Sequence, residues 1–224
     1  MTDTDIDAVP PPQVVYDRIA AHFSATREHP WPEVERFVAD RVAAGDGPAL
    51  DLGCGNGRHA ATLAGPTARV VGVDASRALL RAAVDRAVDR GFADAFVPVV
   101  GDAADVPARD DAFGAAVYVA TLHHLRTRAR RQESLDELAR VLRPGAPALV
   151  SAWSVAHDRF DADRGFDTAV GWTLPDGETV PRFYHIYDRA EFAADLRESA
   201  LVVAERFVSS GNCYAVVRGP GPAE

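Results

Sequence analysis

Residues 49–58 read ALDLGCGNGR, and this stretch limits the fold more than any other part of the chain. The apolar run 48–52 reads as a short buried strand. It breaks into a turn carrying Gly53, Gly55 and Gly57, and the alanine-rich run 58–64 then opens a helix. Glycines at such a turn remove Cβ atoms, so the backbone folds sharply and approaches a ligand closely. The amides at the following helix start favour a negatively charged or polar ligand edge. The spacing is G-x-G-x-G, with Arg58 where G-x-G-x-x-G needs its third glycine, and the chain contains no lysine to complete a phosphate loop.

Strand and helix alternate around that turn. Strands are predicted over 68–74, 95–101, 113–120 and 146–153. Helices are predicted over 77–90, with Ser76 as N-cap and Gly91 as C′ residue, and over 127–143. Two helices precede the first strand. One spans 13–23, with Val14, Val15, Ile19, Ala20 and Phe23 at helical spacing; the other spans 32–44, with Glu33 in its first turn. A helix over 189–199, capped by Asp188, and strands over 201–208 and 213–218 close the chain. This order predicts an α/β fold: a Rossmann-like, doubly wound, mostly parallel sheet of seven strands. Residues 1–12 read as a mobile tail and 13–224 as one domain. The rhythm breaks over 155–187, a polar insert with a hairpin in WTLPDGETV. Leaving the fifth strand at its C-terminal end, the insert is expected to overhang a ligand as a lid, a passive surface excursion being the alternative.

The totals exclude some classes. A chain of 224 residues, 47% hydrophobic, suffices for one full core. No apolar run reaches membrane-spanning length and the start MTDTDID lacks signal-peptide character, so a cytoplasmic protein without membrane association is expected. Cys54 and Cys213 make neither a metal quartet nor a disulfide framework, and no metal site is expected. The 24 basic residues are all arginine and face 33 acids, a net charge of -9. A salt-adapted, halophilic cytoplasm and arginine-favouring codon usage both account for that balance. Screening lengths fall to about 3 Å at 1 M salt, so the acid excess does not exclude a nucleic-acid substrate.

The segments D-L-G-C-G-N-G, G-V-D-x-S, G-D-A and L-R-P-G, spread over 48–150, resemble the class I S-adenosylmethionine-dependent methyltransferases. The resemblance implies S-adenosylmethionine as cofactor and S-adenosylhomocysteine as product. The residues it marks for binding are Tyr16, Asp51, Gly53, Gly55, Asn56, Gly57, Asp74, Ala75, Asp102, Ala103 and Ala120. Asp74, at a strand end, is placed to take the ribose diol and Asp102 to meet the adenine edge.

A narrower resemblance lies in YDRIAAHFSATREHPWPEVERF, VATLHHLRTRARR, RFYHIYDRAEF and GNCYAVV, which look like the tRNA wobble-uridine carboxymethyl methyltransferases. It implies methyl ester formation on the carboxymethyl group of a modified uridine in the anticodon loop. On the acceptor side it marks Tyr16 again, with Arg27, His123 or His124, Arg182, Tyr184, His185 and Asn212. It also implies a heterodimer with a small zinc-binding activator protein. The apolar strand 95–101, expected at the sheet edge and carrying Pro98, is the surface such a partner would cover. GAPA after Arg143-Pro144 and the short acidic insert depart from that family's pattern.

Methyl transfer from a sulfonium is an in-line displacement whose main demand is orientation. A carboxylate acceptor, with a pKa of about 4, is already the nucleophile at neutral pH and needs no general base. Arg27 and Arg182 are the candidates to orient it through forked hydrogen bonds. Arg126, Arg128, Arg130 and Arg131 crowd a helix N-terminus, where the dipole opposes them. They are candidate phosphate-binding residues for tRNA, pairing with Glu133, Asp136 or Glu137 being the alternative. Two rival functions stay open: a methyltransferase for a small metabolite, and a non-catalytic cofactor-binding regulatory subunit.

Overall fold

The computed structural model describes residues 6–221. Five parallel strands form the heart of the sheet: β1 (Ala49–Leu52), β2 (Val70–Asp74), β3 (Phe96–Val100), β4 (Ala115–Val119) and β5 (Pro147–Trp153). An insert hairpin of β6 (Phe166–Thr173) and β7 (Thr179–Ile186) forms its own two-stranded sheet. The antiparallel strands β8 (Val202–Ser209) and β9 (Asn212–Arg218) complete the main sheet, in the order β3-β2-β1-β4-β5-β9-β8. The expected seven-stranded, mostly parallel sheet is therefore present, with β3 at one edge and β8 at the other.

Burial explains the order. β1 and β4 are buried along their whole length, as near-continuous apolar runs require when both sheet faces are covered. Alternate residues feed two cores. Leu50, Leu52, Ala116 and Tyr118 pack beneath α5 (Arg128–Val141) and α6 (Arg189–Glu198). Ala49, Val117 and Val119 pack on the other face, with Phe37 of α2 (Pro32–Arg41), Leu63 of α3 (Ala60–Leu63) and Ala83 of α4 (Arg77–Asp89). The expected caps form: the Ser76 hydroxyl accepts from the Leu79 amide at 3.1 Å, and Asp188 from the amides of Ala190 and Glu191 at 2.8 Å. Among the described residues, no helix is long and apolar enough to cross a membrane.

Three local expectations change. The first helix, α1, runs over Pro12–Thr26, and Val14 points into solvent while Val15 and Ile19 are buried against Trp172 and Val180 of the hairpin. Residues 6–12, expected within a mobile tail, are docked: Arg126 donates to the carbonyls of Ile6, at 2.8 Å, and Val9, whose side chain is buried. Residues 1–5 of that expected tail lie outside the described residues. The helix after the glycine turn is a single turn, because Gly57 to His59 are spent on tight turns.

Candidate active site

Two adjoining cavities open at the C-terminal ends of the parallel strands. The first, about 320 Å³, lies over the glycine turn and is lined by Gly53, Gly55, Asn56, Asp74, Ala75, Asp102, Ala103, Ala120 and Tyr16. The turn is possible only with glycine at its key points. A Cβ on Gly53, at φ +71°, would sit 2.1 Å from Oγ1 of Thr121. The carboxylate of Asp74 accepts from the amides of Gly55 and Ser76, both at 2.8 Å, and so fixes the loop's shape. Burial raises its pKa, offset in part by those two bonds. Asn56 donates to the carbonyl of Arg27 at 2.9 Å, tying this loop to the next cavity.

Two residues predicted to bind the ligand support the loop instead. Gly57, at φ +74°, would crowd a Cβ against Ala83 of α4, 3.1 Å away. Asp51 is buried beneath the turn with Oδ2 unpartnered; burial and the charge of Asp74 push its pKa up to about 7. Neither lines the cavity.

The second cavity, about 390 Å³, shares Tyr16, Phe23, Arg58, Ala120 and His124 with the first. Its walls hold all three tryptophans of the chain, Trp31, Trp153 and Trp172, together with Tyr184. They also hold four arginines, Arg27, Arg58, Arg159 and Arg182, and no aspartate or glutamate. None of the four forms an ion pair among the described residues. Arg182 is 7% exposed, lies 4.9 Å from the Trp172 ring and 5.0 Å from the Tyr184 ring, and leaves its Nε unpartnered. Arg27 lies over the same indole at 5.0 Å. Burial, reinforced by the nearby charge of Arg27, pulls the Arg58 pKa down to about 10. A buried guanidinium without a counter-charge is costly, and an anionic ligand removes that cost.

At the seam between the cavities both histidines of the pair are buried. Nδ1 of His124 lies 3.0 Å from the Phe183 carbonyl, which only accepts, so it carries the proton. Nε2 then accepts from the Tyr16 hydroxyl at 2.9 Å, and the Tyr16 oxygen accepts from Arg182 at 3.4 Å. Burial holds His124 down to about 3 and His123 well below the ordinary histidine range. His123 stacks on Tyr184, centroids 4.7 Å apart, and its Nδ1 accepts from the Trp153 amide, which keeps His123 in the wall. Ala120 adopts φ +57° at this seam, strained for a non-glycine residue.

Other predicted residues are placed elsewhere. His185 lies on the opposite face of β7 from Arg182 and Tyr184, between Asp167 at 2.7 Å and Glu191 at 2.9 Å. Asn212 is buried and donates to the Ser210 carbonyl at 2.9 Å, away from both cavities. The four arginines at the start of α5 are committed within the protein. Arg126 clamps the N-terminal segment, and Arg128 joins Asp195 at 2.8 Å and Glu198 at 2.7 Å. Arg130 joins Asp102 and Glu133, both at 2.7 Å, while buried Arg131 donates to the Leu125 carbonyl and lies 3.6 Å from Glu191. For Arg128, Arg130 and Arg131 the acids offset what the helix dipole costs, which is the pairing alternative read from the sequence, while Arg126 is held by backbone carbonyls alone. Among the described residues, no cluster suits a metal ion.

Sequence and fold comparisons agree with this geometry. Residues 50–150 match the family described as methyltransferase domain. The tRNA (carboxymethyluridine(34)-5-O)-methyltransferase of Saccharomyces cerevisiae is 33% identical over 174 residues, 75% of this chain and 58% of that protein. A protein of Encephalitozoon cuniculi named only as a methyltransferase is 30% identical over 211 residues, 90% of this chain and 92% of its own. The chain spans little more than half of the yeast protein and 20 to 33% of plant and vertebrate proteins of the same activity. The fold is shared with a structure of a Haloferax volcanii methyltransferase in complex with the Trm112 methyltransferase activator. The TM-score is 0.67 at 17% identity, over 95% of this chain and 100% of that one.

Proposed function

Since this chain belongs to the S-adenosylmethionine-dependent methyltransferases and is closely related to the tRNA carboxymethyluridine methyltransferases, we propose that it methylates the carboxylate of a carboxymethylated wobble uridine in tRNA. The observation that carries this reading is the second cavity: four unpaired arginines, three tryptophans and no acid, in a protein of net charge -9. That lining recognises a flat ring bearing a negative charge. Tryptophan and arginine faces stack on a splayed-out base, and Arg182, with Nε free, takes its carboxylate.

The first cavity fits the cofactor on its own evidence. Its floor is a glycine turn that any Cβ at Gly53 would obstruct, and carboxylates of Asp74 and Asp102 face it. Gly53, Gly55, Asn56, Asp74, Ala75, Asp102 and Ala103 would hold it. When bound, S-adenosylmethionine supplies an electrophilic methyl group on a sulfonium. The protein's part is orientation. Tyr16 and His124 fix Arg182, Trp172 of the hairpin carries both Arg182 and Arg27 against its ring, and Arg182 is buried there while Arg27 stays exposed. His123 and His124 stay neutral and are not asked to remove a proton, since a carboxylate has none to lose at neutral pH.

A heterodimer is part of the same proposal. β3 forms a bare sheet edge with Val97 37% and Val100 45% exposed, which suits a small zinc-binding activator protein as partner. The test is transfer of labelled methyl from the donor, with the partner present, to tRNA lacking the ester. Alkali-labile label on the wobble uridine is the expected result; label only in small molecules, or none with folded protein, sinks the reading.

A further inference from the structure

On the far side of the molecule from β3, α6 and the edge strand β8 enclose a groove of about 750 Å³ lined by Arg189, Arg197 and Arg206. All three arginines are exposed, and none makes a hydrogen bond or ion pair among the described residues. Arg189, Ala193 and Arg197 follow one another at intervals of four along α6, a single stripe facing the groove. Arg206 stands across from them, two residues before Val208, which packs into the core on the α6 side.

The charges of α6 are segregated. Its acids are turned away: Glu191 toward His185 and Arg131, Asp195 and Glu198 toward Arg128. The one acid lining the groove, Glu205, is met at 3.5 Å by Arg41 of α2, which covers the opposite sheet face. In a chain with nine more acids than bases, three arginines around one groove are left without any. The contrast with α5 is direct, since every arginine at that helix start is already occupied.

We infer that this groove binds the sugar-phosphate backbone of the RNA substrate, holding the body of the tRNA while the modified base enters the tryptophan-lined cavity. The inference rests on the proposed tRNA substrate. The strands that floor the groove also reach the acceptor cavity: Phe207 and Tyr214 turn to the opposite sheet face, stack there at 5.0 Å, and Tyr214 lies 6.4 Å from Trp31 of the acceptor cavity. The contacts are guanidinium to phosphate, independent of sequence, and add affinity without touching the reacting atoms.

The test measures tRNA affinity of the full chain by fluorescence anisotropy between about 50 and 200 mM salt. Arg189→Gln, Arg197→Gln and Arg206→Gln together are expected to weaken tRNA binding at least tenfold. They should lower the slope of log affinity against log salt by about 2 to 3, roughly 0.7–0.9 per lost phosphate contact. Each single substitution should lower the slope by about 1. Methylation of a short single-stranded oligonucleotide carrying the modified uridine should be unchanged, which also certifies the fold of the triple variant. Unaltered tRNA affinity and slope in that variant overturn the inference and leave the proposed function standing. If the unsubstituted protein fails to bind tRNA with its activator partner present, the proposed substrate falls and this groove's role falls with it.

Discussion

The hydroxyl of Tyr16 lies 2.9 Å from Nε2 of His124, joining α1 to the end of β4 across 108 residues of sequence. The bond runs in one direction. His124 offers a lone pair at Nε2 because its other nitrogen is spent on the Phe183 carbonyl, so the tyrosine must donate. Its oxygen is then left to accept from Arg182 at 3.4 Å. A backbone carbonyl on the hairpin thus sets, through two rings, the position of a guanidinium in the acceptor cavity. The same contacts pin the hairpin onto the sheet, so the shape of the cavity and the aim of its arginine are one property.

Tyr16→Phe removes one hydroxyl from this chain and leaves His124 and Arg182 each short of a partner. Losing a buried hydrogen bond of this kind costs about 1–3 kcal/mol. The expected outcome is a fall in kcat/KM for tRNA of roughly 10- to 100-fold, with affinity for S-adenosylhomocysteine changed by less than about threefold. Steady-state kinetics beside calorimetry separate the two; equal losses in both would place the tyrosine in donor binding instead.

Arg182→Met should split stability from activity. The guanidinium is buried against Trp172 and Tyr184 with no carboxylate to offset its desolvation. Replacing it with an apolar chain of similar length is expected to leave the melting temperature unchanged or raised by a few degrees. Activity should fall at least about 100-fold, because a charge-assisted bond to the acceptor is lost. A marked drop in melting temperature would show that Arg182 is a structural residue.

The fold was legible because its signals are local: a glycine turn, apolar strands and caps such as Ser76 and Asp188 each act within a few residues. The site was legible only where a motif coincided with a side-chain direction. R-F-Y-H on β7 put four residues in one motif, but a strand sends neighbours to opposite faces, so Arg182 and Tyr184 line the cavity while His185 meets Asp167 and Glu191. Period two, applied to that motif, would have separated them. Trp31, Arg58, Trp153, Arg159 and Trp172 were missed, since the convergence of loops and strands from four parts of the chain leaves no spacing to read. The partners of the α5 arginines were hidden for a related reason, as acids come to them from α6 and from the loop at Asp102.

The response to pH follows from the buried groups. His59, His123 and His124 have folded-state pKa values pushed down by burial, the last to about 3. The unfolded chain therefore takes up protons first, at about 6.5, and stability is lost as pH falls below that point. Asp51 acts in the opposite sense: raised to about 7, it contributes stability below about 4 that is lost as pH rises through 7. Asp74, also raised, adds to that side. Three histidines outweigh two carboxylates, so urea unfolding should show stability peaking near neutrality and falling steadily as pH drops from about 6 to about 4. Asp51→Asn should flatten the alkaline side. The rate, by contrast, should show no limb near about 6.5 from the pair at the seam, because burial holds His123 and His124 below that range; a limb at that pH that disappears on replacing either of them would restore general-base catalysis.

Gly53→Ala and Gly57→Ala separate the two roles within the glycine turn. A methyl group on Gly53 would stand 2.1 Å from Oγ1 and 2.5 Å from Cγ2 of Thr121, a residue that lines the donor cavity. Thr121 cannot swing clear without moving the end of β4, so the cost falls on the shape of the cavity as well as on a backbone at φ +71°. At Gly57 the obstacle is Ala83, whose side chain belongs to the core cluster under α4 and touches no ligand-facing surface. Gly53→Ala is therefore expected to abolish measurable binding of S-adenosylhomocysteine in calorimetry, a loss of at least about 100-fold, while the protein remains folded by circular dichroism. Gly57→Ala should instead cost about 1–3 kcal/mol in unfolding free energy, with affinity per folded molecule reduced less than about tenfold. Were the two variants to behave alike, the turn would be a single structural unit, and the division between a glycine that faces the donor and one that seats the helix would have no physical basis.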